Sequence, residues 1–543
     1  MPNKGSRPPL WLAAIGLLLY FGLSYLAPLF QDHNDLDGEA QAAPAVSKAE
    51  AAELAIAFAD HKFGLSPGRT ADTLFQSNTV RSGYIQKEGL EEEYRKRFEK
   101  RYPIDYYEVE IRDGQATYYI GVNFNNRQVI SYSASKAPTA KTEARPAAET
   151  DASSIAVSAV RDMGFDPAAF TLAGSAADKR PPGEFVFVSK TERIGEAPLE
   201  LHVQTANGQA VSFRPAFPPP ESFTLWQQMQ DERSALMTRI SLFASLLMAL
   251  AALILVVRQR KQIDFARGAL LSIVFLAIYA SNNYNLMPAF RTMHGSGPSE
   301  PDAALYLWIS NIYVALMALS SYFALVAGSR LTLDRGERPW AVWRDADFGG
   351  QVKQAMSSGY VIALFILGIQ QALFFAATEL FDVWAVNDPT DSVYNMLHPE
   401  WFPLLAWSAA ISEEAVYRVL GVSLMLKLTR RPFVAVLVPS VIWAMSHTQY
   451  PVYPVYTRLV EVSVIGIVFG YAYLRYGFLT ALFAHAAMDS ILMGFSLMYS
   501  GDDRQAAVGL AYFFAPAVVG WLLHRLHGRF RPRSPSNPPL RHP

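Results

Sequence analysis

The 543 residues contain no cysteine. That absence excludes disulfides, thiolate metal sites and a cysteine nucleophile together. Charge is scarce as well: Asp, Glu, Lys and Arg make up 17% of the chain, against roughly 25% in an ordinary soluble protein. Net charge is missing too. The 47 basic and 48 acidic residues leave −1, which argues against a nucleic-acid or polyanion binder. What is abundant is apolar sequence, at 51%, and it is unevenly spread. Residues 31–235 read as ordinary soluble protein, whereas 236–530 hold long apolar runs broken by short charged clusters.

The first apolar stretch, Leu10 to Phe30, follows Lys4 and Arg7. At about 20 residues it is long enough to cross a bilayer. It is too long for a cleaved signal peptide, and no small-x-small site follows it, so a retained signal anchor is expected over 1–30. Further spans are expected near 237–257, 268–290, 303–329, 355–380, 400–428, 432–450, 457–474, 477–499 and 506–526, about ten with the first. Basic clusters follow alternate spans: Arg258, Arg260 and Lys261; Arg330 to Arg344; Lys427, Arg430 and Arg431; Arg475; then Arg525, Arg529, Arg531 and Arg533. The intervening loops, Asp382–Glu400 and Gly501–Asp503, are acidic or neutral. By the positive-inside rule both termini face the cytoplasm and residues 31–235 lie outside it.

Within 31–235, the segments 31–46 and 136–150 are rich in Ala, Pro and Thr and read as linkers. Each precedes a similar unit, at about 47–135 and 150–215. Ala52, Ala59, Gly64 and Pro67 recur one hundred residues later as Ala152, Ala159, Gly164 and Pro167. Val122, Gln128, Ser131 and Tyr132 recur 81 residues later as Val203, Gln209, Ser212 and Phe213. Each unit reads as a helix ended by glycine, then antiparallel strands. This weakly resembles PepSY-type domains, found on the outer face of many bacterial membrane proteins. Between Leu90 and Tyr102, Glu91–Glu93 precede Arg95–Arg97, a spacing that supports i, i+4 pairs on an exposed helix. His61 and His202 read as isolated.

The apolar half carries ionisable residues where charge is expensive. The run SEEAVYR places Glu413, Glu414 and Arg418 in one expected span. Glu414 and Arg418 are four apart and share a helix face, so they can pair. Glu413 is turned about 100° away, without a partner on its own helix, and is left available for chemistry. His447 follows Trp443 by one turn, and His485 and Asp489 are again four apart. Arg458 and Glu461 read as a further buried pair.

These motifs, over roughly 400–500, resemble the CPBP family of intramembrane proteases, which includes the type II CAAX prenyl endopeptidases and the Abi proteins. The family pattern is Glu-Glu-x-x-x-Arg, aromatic-x-x-x-His, then His-x-x-x-Asn or Asp. Here it is matched by Glu413, Glu414 and Arg418; by Trp443 and His447, with Trp where Phe is commoner; and by His485 and Asp489, with the less usual Asp. The resemblance implies an intramembrane endopeptidase in which Glu413 is the general base, His447 positions water, and His485 with Asp489 holds the oxyanion. It also leaves room for a divalent metal such as zinc on Glu413, His447 and His485, a His₂Glu set like some catalytic zinc sites. The sequence has no HExxH helix, however, and the resemblance also supports a metal-free glutamate mechanism, so the metal stays open with a lean against a tightly bound zinc. Serine chemistry is disfavoured, because no Ser–His–Asp or Gly-x-Ser-x-Gly signature frames Ser412 or Ser490.

The expected protein is therefore a multi-pass α-helical membrane protein with an inserted extracytoplasmic α+β domain. Its expected divisions are 1–30 anchor, 31–235 outside domain, 236–399 transmembrane helices, 400–500 protease core, 501–526 last span and 527–543 basic, Pro-rich cytoplasmic tail. Its expected partners are a membrane protein or peptide substrate, the lipid bilayer and a regulator bound through 31–235, with no nucleic acid. Two rival classes are a catalytically silent membrane scaffold or immunity protein and a proton-coupled transporter. Ten spans suit a transporter, but the apolar half shows no inverted repeat.

Overall fold

The computed structural model describes residues 7–26, 44–136, 149–173, 181–292 and 300–530. Most of the linkers expected at 31–46 and 136–150, and most of the tail expected at 527–543, lie outside the described residues.

An apolar helix α1 (Trp11–Phe21) opens the described chain. Helix α2 (Lys48–Phe63) then starts the sheet domain behind a reciprocal cap. Ser47 Oγ accepts from the Glu50 N–H, and the Glu50 carboxylate accepts from the Ser47 N–H. Ala51, Ala55 and Ala59 form its buried stripe, small enough to let the helix lie close on the strands. The stretch that follows comprises β1 (Thr70–Ser77), α3 (Thr79–Lys87), α4 (Glu91–Arg97), β2 (Asp105–Asp113), β3 (Ala116–Asn123) and β4 (Val129–Lys136). On α4 the expected pairs form, Glu92 with Lys96 and Glu93 with Arg97. Helix α5 (Glu149–Asp162) leads into β5 (Phe170–Leu172), β6 (Glu184–Ile194), β7 (Ala197–Ala206) and β8 (Gln209–Ala216).

All eight strands join one antiparallel sheet in the order β1-β2-β3-β4-β8-β7-β6-β5. The two halves meet at β4 and β8, where Tyr132 is paired with Phe213 in the core. His202 is not isolated, as the sequence had suggested. The fold of the sheet brings Glu184 and Glu200, each at 3.1 Å, to its two ring nitrogens.

Helix α6 (Glu221–Gln259) runs unbroken for 39 residues, about 57 Å at 1.5 Å per residue. It begins inside the sheet domain, where Phe223 is buried in the same core as Phe75 and Tyr107. The expected boundary at 235–236 therefore falls inside a single helix, because its first turns are held by sheet-domain apolar contacts. The remaining helices are α7 (Ala269–Asn285), α8 (Glu300–Asp334), α9 (Phe348–Phe381), α10 (Leu405–Glu413), α11 (Ser423–Thr429), α12 (Pro432–Met445), α13 (Val455–Tyr476), α14 (Phe478–Met498), α15 (Asp503–Tyr512) and α16 (Ala515–Phe530). Short strands β9 (Trp384–Ala385) and β10 (Val452–Tyr453) pair with each other.

Among the described residues, five helices are long and apolar enough to cross a membrane. A sixth is gained if α15 and α16, bent by 50°, count as one span. The count of about ten is thus not reached by continuous helices. Helix α7 and α12 are short, and the stretch expected as one span over 400–428 is divided into a 3₁₀ entry, α10, a π-helical segment Glu414–Val422, and α11.

Two regions tie the sheet domain to the helices. Trp384, Val386, Tyr453 and Val455 complete its core from below. Arg291, just past α7, pairs with Asp72 and Glu110 on the sheet. At the other end of α6 the basic helix termini meet: Arg330 donates to Gln259, and Lys427 lies 3.8 Å from Asp334.

Candidate active site

The site is assembled where α10 gives way to the π-helical segment. A π turn widens the helix by one residue per hydrogen-bonded ring, and such turns recur at functional positions. Helix α8 comes close at this point. A Cβ on Gly328 would lie 2.4 Å from the Val419 carbonyl oxygen, so only glycine permits that approach. Glu413 is the last residue of α10 and Glu414 the first of the π segment.

The Arg418 guanidinium lies 3.1 Å from Glu414 Oε1. It also stacks 4.4 Å from the Trp443 ring and 5.2 Å from that of Phe469. Opposite charge and two aromatic faces together make this deeply buried cation tolerable. Glu414 has a second partner that helix geometry alone did not reveal, His485 of α14, whose Nδ1 lies 2.9 Å from Glu414 Oε1. The other ring nitrogen of His485 faces Asp489 at 3.3 Å and Glu413 at 3.7 Å. Its ring lies flat on Phe469, centroids 4.7 Å apart.

Glu413 is reached from α12. The Trp443 indole N–H donates to Glu413 Oε2 at 2.5 Å. His447 follows just past the helix end, with Nδ1 set 3.0 Å from the Trp443 carbonyl and 3.2 Å from Ser446 Oγ. Donation to that carbonyl assigns the proton to Nδ1 and leaves Nε2 as an acceptor, 4.0 Å from Glu413 Oε1. Exposure divides the set in two. Glu414, Arg418 and His485 are 0%, 1% and 3% exposed, while Glu413, His447 and Asp489 retain 23%, 18% and 15%. Three groups form a sealed support, and three face an accessible space.

All six residues singled out in the sequence therefore converge. Sequence reading missed the Trp443–Glu413 bond, Phe469 and Ser446. It also missed a hydroxyl ladder on α6. Ser234 Oγ donates to the Thr448 carbonyl at 2.7 Å, Thr238 to Met445 at 3.3 Å and Ser241 to Ile442 at 2.6 Å. Ser245 meets the Tyr417 hydroxyl at 3.0 Å. The spacing 234, 238, 241, 245 was a visible helical stripe, but its partners, three backbone carbonyls at and just past the end of α12 and the Tyr417 hydroxyl, are marked by no sequence pattern. The expected Arg458–Glu461 pair forms at 2.8 Å, and Gln370 adds a bond to Glu461. Ser412 turns back onto the Ser408 carbonyl of its own helix.

A metal does not fit this arrangement well. Glu413 Oε2 already accepts from Trp443, and His485 is held between Glu414 and Asp489. Among the described residues, no group of three or more His, Asp or Glu side chains is gathered as a metal centre requires.

Residues 397–491 match the family of Rce1-like type II CAAX prenyl endopeptidases. The match encloses Glu413, Glu414, Arg418, Trp443, His447, His485 and Asp489, so the resemblance read from three motifs is supported for this segment. The Rce1-like segment comprises α10 to α13 and the part of α14 that carries His485 and Asp489. It makes this a membrane-type protein with a CAAX-protease-like region. No curated protein and no solved structure matches the chain.

Proposed function

We propose that the protein is an intramembrane endopeptidase that hydrolyses membrane-associated proteins or peptides with water activated by Glu413. The observation that carries this reading is the gap between Glu413 Oε1 and the accepting Nε2 of His447, 4.0 Å wide. It is too long for a direct bond and suited to a bridging water. Glu413 takes a proton from that water as its oxygen attacks the scissile carbonyl carbon. His485, with carboxylates at both nitrogens, donates from both only as the imidazolium, and in that form its Nε2 side stabilises the developing oxyanion. The same charge offsets the repulsion that an ionised Asp489 would exert on an oxyanion. Asp489 acts by holding His485. Glu413 then delivers its proton to the leaving amine as the C–N bond breaks, giving a carboxylic acid and a free amine.

In the same reading, all ten apolar segments pass through or dip into the bilayer, with the shorter ones shielded by neighbours, and both termini are cytoplasmic. The sheet domain is extracytoplasmic and consists of two PepSY-like units of four strands each, the first with α2, α3 and α4 and the second with α5. His447 precedes by a few residues Tyr453 and Val455, which pack in the sheet-domain core, so substrate enters from that side, and a regulator bound to the domain acts on entry. Detergent-purified protein should cleave a quenched peptide, and Glu413→Gln should cut cleavage by roughly 10²–10⁴-fold. Equal turnover in the two proteins, or ion flux through proteoliposomes without cleavage, would sink the reading.

A further inference from the structure

Trp443 touches four of the six site residues. Its indole N–H, a donor with no accepting capacity, meets Glu413 Oε2 at 2.5 Å. Its ring face carries the Arg418 guanidinium at 4.4 Å. Its edge meets the rings of His447 and His485, at 4.8 Å and 5.9 Å between centroids. Its carbonyl accepts from His447 Nδ1 at 3.0 Å. The ring has no freedom to move away. A Cβ on Gly466 would lie 3.0 Å from Trp443 Cε3, so α13 presses directly on the indole.

The two bonds from this one residue divide the labour between the carboxylate oxygens. With Oε2 held by the indole, only Oε1 faces His447. With Nδ1 of His447 held by the backbone carbonyl, only the unprotonated Nε2 faces Glu413. We infer that Trp443 is a positioning residue: its N–H fixes Glu413, and its carbonyl fixes His447, so that one oxygen and one nitrogen converge on a single water. The inference rests on the reading of Glu413 as the base. A charge-assisted bond of this kind is among the stronger hydrogen bonds, and phenylalanine in its place would keep a ring without the donor.

The test uses the full-length protein in detergent. Trp443 is replaced by Phe, and separately by 3-benzothienylalanine, which keeps the bicyclic shape but carries sulfur where the N–H was. Both should lose kcat by roughly ten- to a hundredfold, as expected when a bond to a charged group is removed, with KM little changed. The benzothienyl protein should melt as the wild type does, separating positioning from folding. The bond itself is read without catalysis. The ¹⁵N-indole resonance of Trp443, identified by its loss in Trp443→Phe, should move upfield in Glu413→Gln. Wild-type kcat in the benzothienyl protein, or an indole resonance unmoved by Glu413→Gln, overturns the inference while leaving the endopeptidase reading intact. Full turnover in Glu413→Gln overturns both.

Discussion

Glu414 Oε1 lies 2.9 Å from His485 Nδ1 and 3.1 Å from the Arg418 guanidinium, so a single buried oxygen holds two groups from two helices. Glu414→Gln leaves Arg418 without its anion and His485 without its orienting partner. Removing one member of a buried pair typically costs about 3–5 kcal/mol. This variant should lose folded yield and melting temperature along with turnover. Glu413→Gln, on the accessible side, should spare melting temperature and reduce turnover by roughly 10²–10⁴-fold, the usual loss of a general base. His447→Ala or His485→Ala should then add little in that background, since members of one catalytic unit are not additive. Turnover and melting measured on the same preparations decide the matter.

The sheet domain should be more stable in mild acid than at neutral or alkaline pH. Burial and the neighbouring Glu110 push the Glu108 carboxyl up to about 7, against the opposing bond from Gln76. A carboxyl raised on folding makes the native state bind more protons than the unfolded chain between its ordinary value and about 7. Stability therefore falls as pH rises through that window. His202 is raised by its bond to Glu200, against desolvation, with Glu184 adding to the rise. Its contribution is full below its ordinary value and is lost as pH rises through its folded one, in the same direction. Melting scans from pH 5 to 8 should show a falling midpoint, with a shallower fall in Glu108→Gln. A midpoint that rises with pH would contradict the assignment.

Asn395 links loop and sheet. Its side chain accepts from the Phe75 N–H and donates to the Phe75 carbonyl, both at 2.8 Å, and donates again to Pro389 at 2.9 Å. Asn395→Ala leaves buried backbone groups of the edge strand β1 unpaired, which should destabilise the protein by about 1–3 kcal/mol. Hydrolysis of a short peptide should persist, because Asn395 touches none of the six site residues. Loss of activity beyond the loss of folded protein would show that the sheet domain is needed for chemistry itself.

Topology can be read directly in a chain without native cysteine. Exposed Thr191 on β6 and exposed Arg338 after α8 are suitable positions for introduced cysteines. Gly336 is a poor one, since its φ of +74° strains any side chain. An impermeant thiol reagent should label Thr191→Cys in intact cells and leave Arg338→Cys unlabelled. The opposite pattern would reverse the orientation.

The ionisable residues of the site were legible because charge in apolar helices is rare enough to stand out, and their spacing placed each motif on a face. What the 3.6-residue period hid was the π turn at Glu414, where the helix changes pitch seven residues before its one glycine, Gly421. Partners from other helices were equally hidden. Glu413 looked unpartnered because Trp443 lies 30 residues away, and His202 looked isolated because sheet register alone brings Glu184 and Glu200 to it. The helix-and-strand pattern of the sheet domain was visible in alternation and glycine stops. The unbroken course of α6 was not, since its first turns are polar and composition placed a boundary there.

That course restricts how such a protein can exchange its sheet domain. Four hydroxyls on α6, from Ser234 to Ser245, meet groups on α12, the turn just past it and the π segment, while Phe223 before them belongs to the sheet core. One residue inserted between Trp226 and Ser234 would rotate one set against the other by about 100° and lift every hydroxyl from its acceptor. Seven residues, close to two full turns, would return them to within about 20°. Grafted sheet domains should therefore be tolerated in whole-turn steps of the joining helix, giving a periodic rather than a graded dependence on linker length.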